Sequence, residues 1–593
     1  MFWCIIIIFV YFVAKKTEKS RKQILDAEIG TIRKKRSGRI RVALVYPNRY
    51  HVGMSNLGFQ TTYRLLNQID AVTCERVFLP EDGKTPHAGI ESTESGSPLQ
   101  RFDIVAFSVS FENDYPNLLT VIDRAGIPLQ SQHRDHTHPL VIAGGVACFI
   151  NPEPIAPFID CFLLGEAEAM LEGFFKCLLE NGFASGREKK SYLRACAQEV
   201  PGTYVPAFYR SVYHRDGTLS TFDPLIDVTD RIKRTRIDDL SSLSTCSTIV
   251  TPDTTFERTY LIEVSRGCPH GCRFCSAGFV YRPPRFRPTA LLQDCIQQGV
   301  TVTDKIGLVG AAVSDLPGIK ELCSRALKGD IQLSFSSLRA DALDDSLMSV
   351  LRRSDVKTAT IAPDAGSERM RRVINKGITE EQILTAAELL VANGIPNLKL
   401  YFMVGLPTET MDDVEAIVKL CKKIKHVFLR LSRSMKRIGE ITLSLNSFVP
   451  KPTTPFQWAA MDDVATLKKK IKKIKAGLKK VPNVRVHADV PRWAYVQALL
   501  SRGDRKVGDI LLTAHQYHGN WPQTLKETPL NSDFYVQRHR SMDEIFPWDF
   551  IDHGVNKSFL AREYKRALKE KASPPCPTTD GTCDICGVCA KRQ

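Results

Sequence analysis

Seven of the 17 cysteines lie in two tight groups, and these are the residues whose spacing implies chemistry. The first group sits in Glu263–Pro283, EVSRGCPHGCRFCSAGFVYRP, where Cys268, Cys272 and Cys275 make C-x3-C-x2-C. Three thiolates are one too few for a closed tetrahedral zinc site. They suit three irons of a cubane, leaving the fourth open to a small chelator. Gly267 and Gly271 let the loop wrap such a cluster, and Arg266 and Arg273 add positive charge around a net-negative centre. A zinc knuckle or a set of buried thiols is the competing reading. The second group, Cys576, Cys583, Cys586 and Cys589, spans 14 residues, CPTTDGTCDICGVC. Four thiolates can close a zinc site or hold a full four-cysteine iron–sulfur cluster, and both stay open; an unmetallated tail is the third reading. The other ten, Cys4, Cys74, Cys148, Cys161, Cys177, Cys196, Cys246, Cys295, Cys323 and Cys421, are scattered as core thiols are. Clustered thiols in a large chain without a secretory signal indicate metal binding in a reducing compartment.

The elements around these residues follow a βα rhythm. From Thr259 the strand candidates are Tyr260–Val264, Lys305–Gly310, Gln332–Ser337, Thr358–Ala362, Leu398–Val404 and Thr442–Ser447, with helical patterns between them. Six βα units fit an open, partial barrel, in which chemistry sits at the C-terminal ends of the strands. Cys268 follows the first of them. Upstream, Ile40–Tyr46, Ala71–Leu79, Asp103–Ser110, Pro139–Ala143 and Asp160–Leu164 read as strands, alternating with helices at Asn56–Leu66, about Pro116–Ala125 and Ala167–Glu180. That alternation predicts a parallel, doubly wound sheet. The fold class is therefore α/β. Residues 1–38 form an apolar then basic lead-in, 39–180 a Rossmann-like domain, and 181–255 a linking subdomain with a hairpin signal at Asp216-Gly217. A barrel follows at 256–480, then a C-terminal subdomain at 481–569 and a Cys-rich tail at 570–593.

The cysteine segment, in this order with the barrel strands, resembles the radical S-adenosylmethionine (SAM) enzymes. The resemblance implies a partial (βα)6 barrel and a 4Fe–4S cluster on Cys268, Cys272 and Cys275. The open iron would bind the amino and carboxylate groups of SAM, and reductive cleavage would give methionine and a 5′-deoxyadenosyl radical. Phe274 would lie near the adenine. Gly310, in LVGAAVSD, would let backbone approach the SAM amino group, and Arg339, in SSLRAD, would make a polar contact. Asp364 and Glu368, in IAPDAGSERMRRVINK, are the acids offered toward SAM. Further upstream, AGGVACFINPEPIAPFIDCFLLGEAE is similar to the cobalamin-binding-type Rossmann domain that precedes many radical SAM barrels. Gly144 and Gly145 would be its close-approach residues. The Asp-x-His-x-x-Gly signature that supplies a cobalt ligand is absent, as it is from many relatives that bind cobalamin. For the tail, the resemblance implies an auxiliary 4Fe–4S cluster, with zinc as the rival. It also implies a reductant protein of flavodoxin or ferredoxin type and a cytoplasmic, oxygen-free setting.

Composition narrows the rest. The 593 residues are 43% hydrophobic and 25% charged, near globular averages, which excludes collagen, coiled coil or gross disorder as the main class. The net charge of +16, from 81 basic and 65 acidic residues, favours acidic partners, whether nucleic acid, nucleotide cofactors or a membrane surface, and does not choose among them. The run KKKIKKIKAGLKK within residues 464–480 is a solvated helix face or a polyanion-binding face. The apolar run at residues 1–14 is short for a bilayer span and lacks the flanks of a secretory signal; a membrane anchor and a start placed too far upstream both stay open, with the soluble reading ahead and a membrane partner not expected. The expected activity is cobalamin-type methyl transfer to an unactivated carbon. Its alternatives are methylthiolation, a radical rearrangement, or an iron–sulfur nucleic-acid-binding module. The substrate stays open.

Overall fold

The computed structural model describes residues 19–80, 89–183, 188–326, 331–336, 338–434, 439–577 and 583–589. The run at residues 1–14, with Cys4, and Ser337 at the end of the third expected barrel strand lie outside them.

Five apolar runs form parallel strands: β1 (Ile40–Arg49), β2 (Val72–Leu79), β3 (Ile104–Ser108), β4 (Leu140–Gly144) and β5 (Cys161–Leu163). Their spatial order is β2-β1-β3-β4-β5, and a short β6 (Thr203–Tyr204) adds an antiparallel edge. The strands read as near-continuous apolar runs because both faces are covered. Helix α1 (Leu57–Gln68) begins where the Asn56 side chain accepts a hydrogen bond from the Phe59 N–H at 2.9 Å, which satisfies a donor that no helical carbonyl can reach. The strand order reverses between β1 and β3. At such a reversal the loops leave the sheet in opposite directions, and a crevice opens at the C-terminal edge.

The second half holds two parallel ladders. One contains β7 (Tyr260–Glu263), β8 (Lys305–Val309) and β9 (Gln332–Phe335); the other contains β10 (Thr358–Asp364), β11 (Asn397–Val404), β12 (Ile441–Ser447) and β13 (Val484–Ala488). The first six are the six expected barrel strands. β13 pairs beside β12 and carries the parallel region past residue 480. Half-buried Val484 and Val486 alternate there with exposed Arg485 and His487, and five residues of alternation in a charged stretch are too short a pattern to stand out. The expected hairpin is present, with Tyr209–Tyr213 antiparallel to Leu219–Pro224 and Gly217 at φ +89°.

Helix α2 (Val464–Leu478) carries the lysine run. It buries Leu467, Ile471, Ile474 and Leu478 along one stripe, and Lys470 turns inward to Glu409 at 2.8 Å and Asp462 at 2.7 Å. The other lysines form the solvated face over that stripe. Helix α3 (Lys557–Leu568) packs into a separate apolar core with Phe456, Trp458, Phe546 and Trp548. Cys74, Cys148, Cys161, Cys177, Cys196, Cys246, Cys295, Cys323 and Cys421 are buried, as expected of core thiols. No helix among the described residues is long and apolar enough to cross a membrane.

Candidate functional site: a thiol loop facing a Rossmann edge

The cysteine loop leaves the C-terminal end of β7. A two-residue antiparallel ladder joins Ser265–Arg266 to Arg285–Phe286 and pinches the intervening residues into a closed loop. Gly267 turns the chain at φ +83°, where a Cβ would stand 2.7 Å from the Tyr281 carbonyl, so only glycine fits. Cys272 is buried, and Cys268 and Cys275 are half-buried. Burial, then the two neighbouring thiols, pushes the Cys268 thiol up to about 12. A bound metal must take those protons off.

All three thiols line one cavity of about 580 Å³, and among the described residues no other cysteine lines it. Its opposite wall is the crevice at the C-terminal edge of the β1–β5 sheet, including Asn56, Ser110, Gly144 and Gly145. Phe274, Gly310, Arg339 and Asp364 line it too, so these expected site residues meet in one space. A Cβ at Gly310 would come 2.8 Å from Ser265 Oγ and 3.1 Å from Val264 Cγ2, so a larger residue there must displace a neighbouring side chain. Arg339 is held by Asp341 through two bonds of 2.9 Å. Gly145 sits at φ +104°, with the Val109 carbonyl 2.3 Å from where a Cβ would be.

Glu368 does not join them. It opens a helix (Glu368–Val373), its side chain is 54% exposed, and it accepts from the Glu380 N–H at 3.2 Å. It is absent from the cavity wall, so Asp364 alone of the two acids is placed toward the thiols. Asp364, 3% exposed, ends β10 at φ +61° and pairs with Lys376 Nζ at 2.5 Å. Burial raises its carboxyl, and Lys376 partly offsets this. Burial also works against the Lys376 ammonium, but Asp364 and Cys272 outweigh it and the pKa is raised. Lys376 is thus a fixed cation on the thiol side of the cavity. The Asn375-Lys376-Gly377 turn was its only signal in the sequence.

Arg266 and Arg273 have a different role from the one their charge suggested. Arg266 is consumed by Glu166 at 2.8 Å, Glu263 at 2.9 Å and Glu168. Arg273 is fully buried; it pairs with Glu563 at 3.1 Å and donates to the Arg372, Val373 and Lys571 carbonyls. They anchor the loop, and Arg273 also keeps an electrostatic interaction with the Cys272 thiol. A polar cluster that the sequence did not reveal also reaches the cavity: Lys451 Nζ lies 2.5 Å from Glu112, which also accepts from Gln497 at 3.2 Å.

The donor set fits a cubane with one open iron, because among the described residues the cavity receives three thiols and no fourth. Cys576, Cys583, Cys586 and Cys589 lie outside the cavity wall, and the Cys576 N–H donates to the Pro269 carbonyl of the loop at 2.7 Å. Among the described residues no three His, Cys, Asp or Glu side chains close around one point, in loop or tail. Cubane cysteines each hold a different iron, so the loop thiols need not converge.

Two family models match the chain: "Radical SAM proteins, N-terminal" over residues 58–206 and "Radical SAM superfamily" over residues 262–421. An uncharacterized protein of Methanocaldococcus jannaschii is 32% identical over 472 residues, covering 79% of this chain and 90% of that protein. The anaerobic magnesium-protoporphyrin IX monomethyl ester cyclase of Rubrivivax gelatinosus is 25% identical over 294 residues, 48% of this chain and 49% of that enzyme. Among solved structures, the radical SAM methyltransferase TsrM of Kitasatospora setae, with cobalamin and a [4Fe-4S] cluster bound, aligns at a TM-score of 0.47 and 14% identity. The alignment covers 81% of this chain and 100% of that one. The second of the two family models spans the thiol loop and the parallel strands that follow it through β11, and the chain belongs to the radical SAM superfamily as an enzyme of the kind that uses a 4Fe–4S cluster and SAM.

Proposed function

We propose that this radical SAM enzyme transfers a methyl group to an unactivated carbon, with cobalamin seated in the N-terminal crevice. The observation that carries the reading is the single cavity whose two walls are the thiol loop and the C-terminal edge of the doubly wound sheet. Ligands of such sheets bind at that edge, at the reversal point. The crevice wall includes the small residues Ala106, Ala143, Gly144, Gly145 and Ala147, which leave room for the backbone to approach a macrocycle. No histidine stands on that wall among the described residues, so the corrin would be held without a protein imidazole. Asn56 and Ser110 would face its polar edge, and when bound it would serve as the methyl carrier. On the other wall Cys268, Cys272 and Cys275 hold the cluster, while Gly310, Arg339, Asp364 and Lys376 orient SAM. Arg273 and the Arg266 ion pairs keep the loop shut. A flavodoxin- or ferredoxin-type protein supplies the electron.

The test is anaerobic reconstitution of the full chain with iron, sulfide and hydroxocobalamin, then gel filtration. Corrinoid co-eluting with the protein, with 5′-deoxyadenosine formed under reductant, supports the reading. Deoxyadenosine without retained corrinoid sinks the methyl-transfer reading and leaves the radical SAM enzyme standing.

A further inference from the structure

The second parallel ladder ends on an open edge. β13 is its last strand, with β12 on one side and no described strand on the other. The Ile441 N–H donates to the Asn483 carbonyl at 2.9 Å, and the Asp489 N–H donates to the Leu445 carbonyl at 3.0 Å. In a parallel ladder every second residue of a strand bonds a given neighbour. Residues 483, 485, 487 and 489 therefore face β12, while Val484, Val486 and Ala488 turn their N–H and C=O groups outward. None of these outward groups has a hydrogen-bond partner among the described residues.

Both faces of this edge are basic. Lys472, Lys475 and Lys479, on α2 and at its C-terminal cap, line an open groove of about 310 Å³ with half-buried Val484 and Val486. Neighbouring Lys473 pairs with Glu415 at 3.2 Å, whereas the three groove lysines are exposed and have no ion-pair partner among the described residues. The register puts Arg485 and His487 on the other face, since Tyr401, which lines the main cavity, stands beside Ser444, and Ser444 beside His487. Both are exposed, although Arg485 also reaches Glu440 at 2.6 Å. Just beyond the strand, Val490 and Trp493 are 55% and 44% exposed.

An open edge is a template for another copy of the same chain. Here a second copy would set the groove lysines and Arg485 against themselves, and like charges destabilise a strand pairing. The charges that reject a second copy admit an acidic strand. A phosphate chain would meet the lysines, but it brings no row of N–H donors for the outward carbonyls. An extended polypeptide brings both.

We propose that β13 docks an extended, acidic segment of a partner polypeptide, which pairs with the outward groups of Val484, Val486 and Ala488 as a further strand and lays its carboxylates along Lys472, Lys475 and Lys479. Main-chain bonds supply the affinity, and the alternate side chains select the partner. Val490 and Trp493 cover an apolar residue at the end of that segment. This docking depends neither on methyl transfer nor on cobalamin.

The test uses the full chain and a fluorescent peptide alternating glutamate and valine, followed by anisotropy. The peptide should bind, and more weakly as salt rises. On binding, hydrogen exchange read at single amides should slow by about tenfold or more at Val484, Val486 and Ala488. It should stay unchanged at Arg485 and His487, whose N–H groups β12 already takes. Val486→Pro removes one outward N–H that the β12 ladder does not use, and it should weaken binding by about tenfold or more. Lys472→Gln/Lys475→Gln/Lys479→Gln should do the same, and neither variant should alter SAM cleavage. Should Val486→Pro misfold, a fully N-methylated peptide decides on the native chain, because it keeps the charge, loses the donors and should not bind. Equal binding of the methylated peptide, or unchanged exchange at the three outward amides, overturns strand addition. No binding up to about 1 mM peptide overturns the docking site. Displacement of the peptide by a lower concentration of oligothymidylate makes the face a nucleic-acid surface, and a dimer on gel filtration that Val486→Pro abolishes makes it a self-interface; either overturns the proposal.

Discussion

Replacing Glu166 by glutamine should loosen the seam between the Rossmann-like domain and the thiol loop by about 3 kcal/mol. The Glu166 carboxylate takes Arg285 at 2.6 Å, Arg266 at 2.8 Å and the Ile237 N–H at 3.1 Å. Burial pushes this carboxyl up, but the two arginines and the amide outweigh it and hold it at about 2, against an ordinary value of 4.5. That depression corresponds to about 3 kcal/mol, within the range of about 3–5 kcal/mol for breaking a buried pair. The group is depressed, so its contribution is complete above pH 4.5 and is lost as pH falls toward 2. Backbone hydrogen exchange in β7, measured on the apo full chain and corrected for intrinsic rates, reads this opening. At pH 7 the variant should exchange roughly 150-fold faster than wild type, which is about 3 kcal/mol at about 1.36 kcal/mol per decade. Toward pH 3 the gap should narrow. A difference below about threefold at pH 7, where 1 kcal/mol is already a factor of about five, or a gap that persists unchanged to pH 3, would show that these arginines do not depend on Glu166.

Single Cys→Ala changes at Cys268, Cys272 or Cys275 should abolish 5′-deoxyadenosine formation while leaving the circular dichroism spectrum unchanged. Asp364→Asn strands the Lys376 ammonium and should weaken SAM binding by at least about tenfold, near 1.4 kcal/mol, by equilibrium dialysis. Glu368→Gln, outside the cavity, should leave it unaltered; the reverse order would reinstate Glu368. Gly144→Val adds methyl groups to the crevice floor. It should abolish corrinoid retention on gel filtration without lowering iron content, and retained corrinoid would place that ligand elsewhere.

The thiol loop was legible because metal chemistry constrains residues only three or four apart. The strands were legible because continuous apolar runs mark a sheet covered on both faces. What could not be read was direction and partnership. Asp364 and Glu368 are both acids after the same strand, and only the left-handed turn at Asp364 and the start of the next helix decide which one faces the thiols. Arg266 and Arg273 look like free charge in the sequence. Arg266 has one local partner in Glu263, but Glu166 and Glu563 lie 100 and 290 residues away from Arg266 and Arg273, and no local pattern reports a pair at that separation.

The same reasoning revises what the charge of +16 means. Arg502 and Arg540 are buried, and each caps backbone carbonyls: Arg502 donates to Val536 and Gln457, and Arg540 to Arg502. Burial, with neighbouring arginines, lowers the Arg502 pKa well below its ordinary value. Arg371 likewise spends its guanidinium on the Ala365, Gly366 and Ile378 carbonyls. These arginines count toward the excess yet project little field into solvent, because they were recruited for their fork of donors. A composition-level charge therefore measures steering of an acidic partner only after such interior cations are subtracted. The lysines of α2 other than Lys470, by contrast, do face solvent, over an apolar stripe.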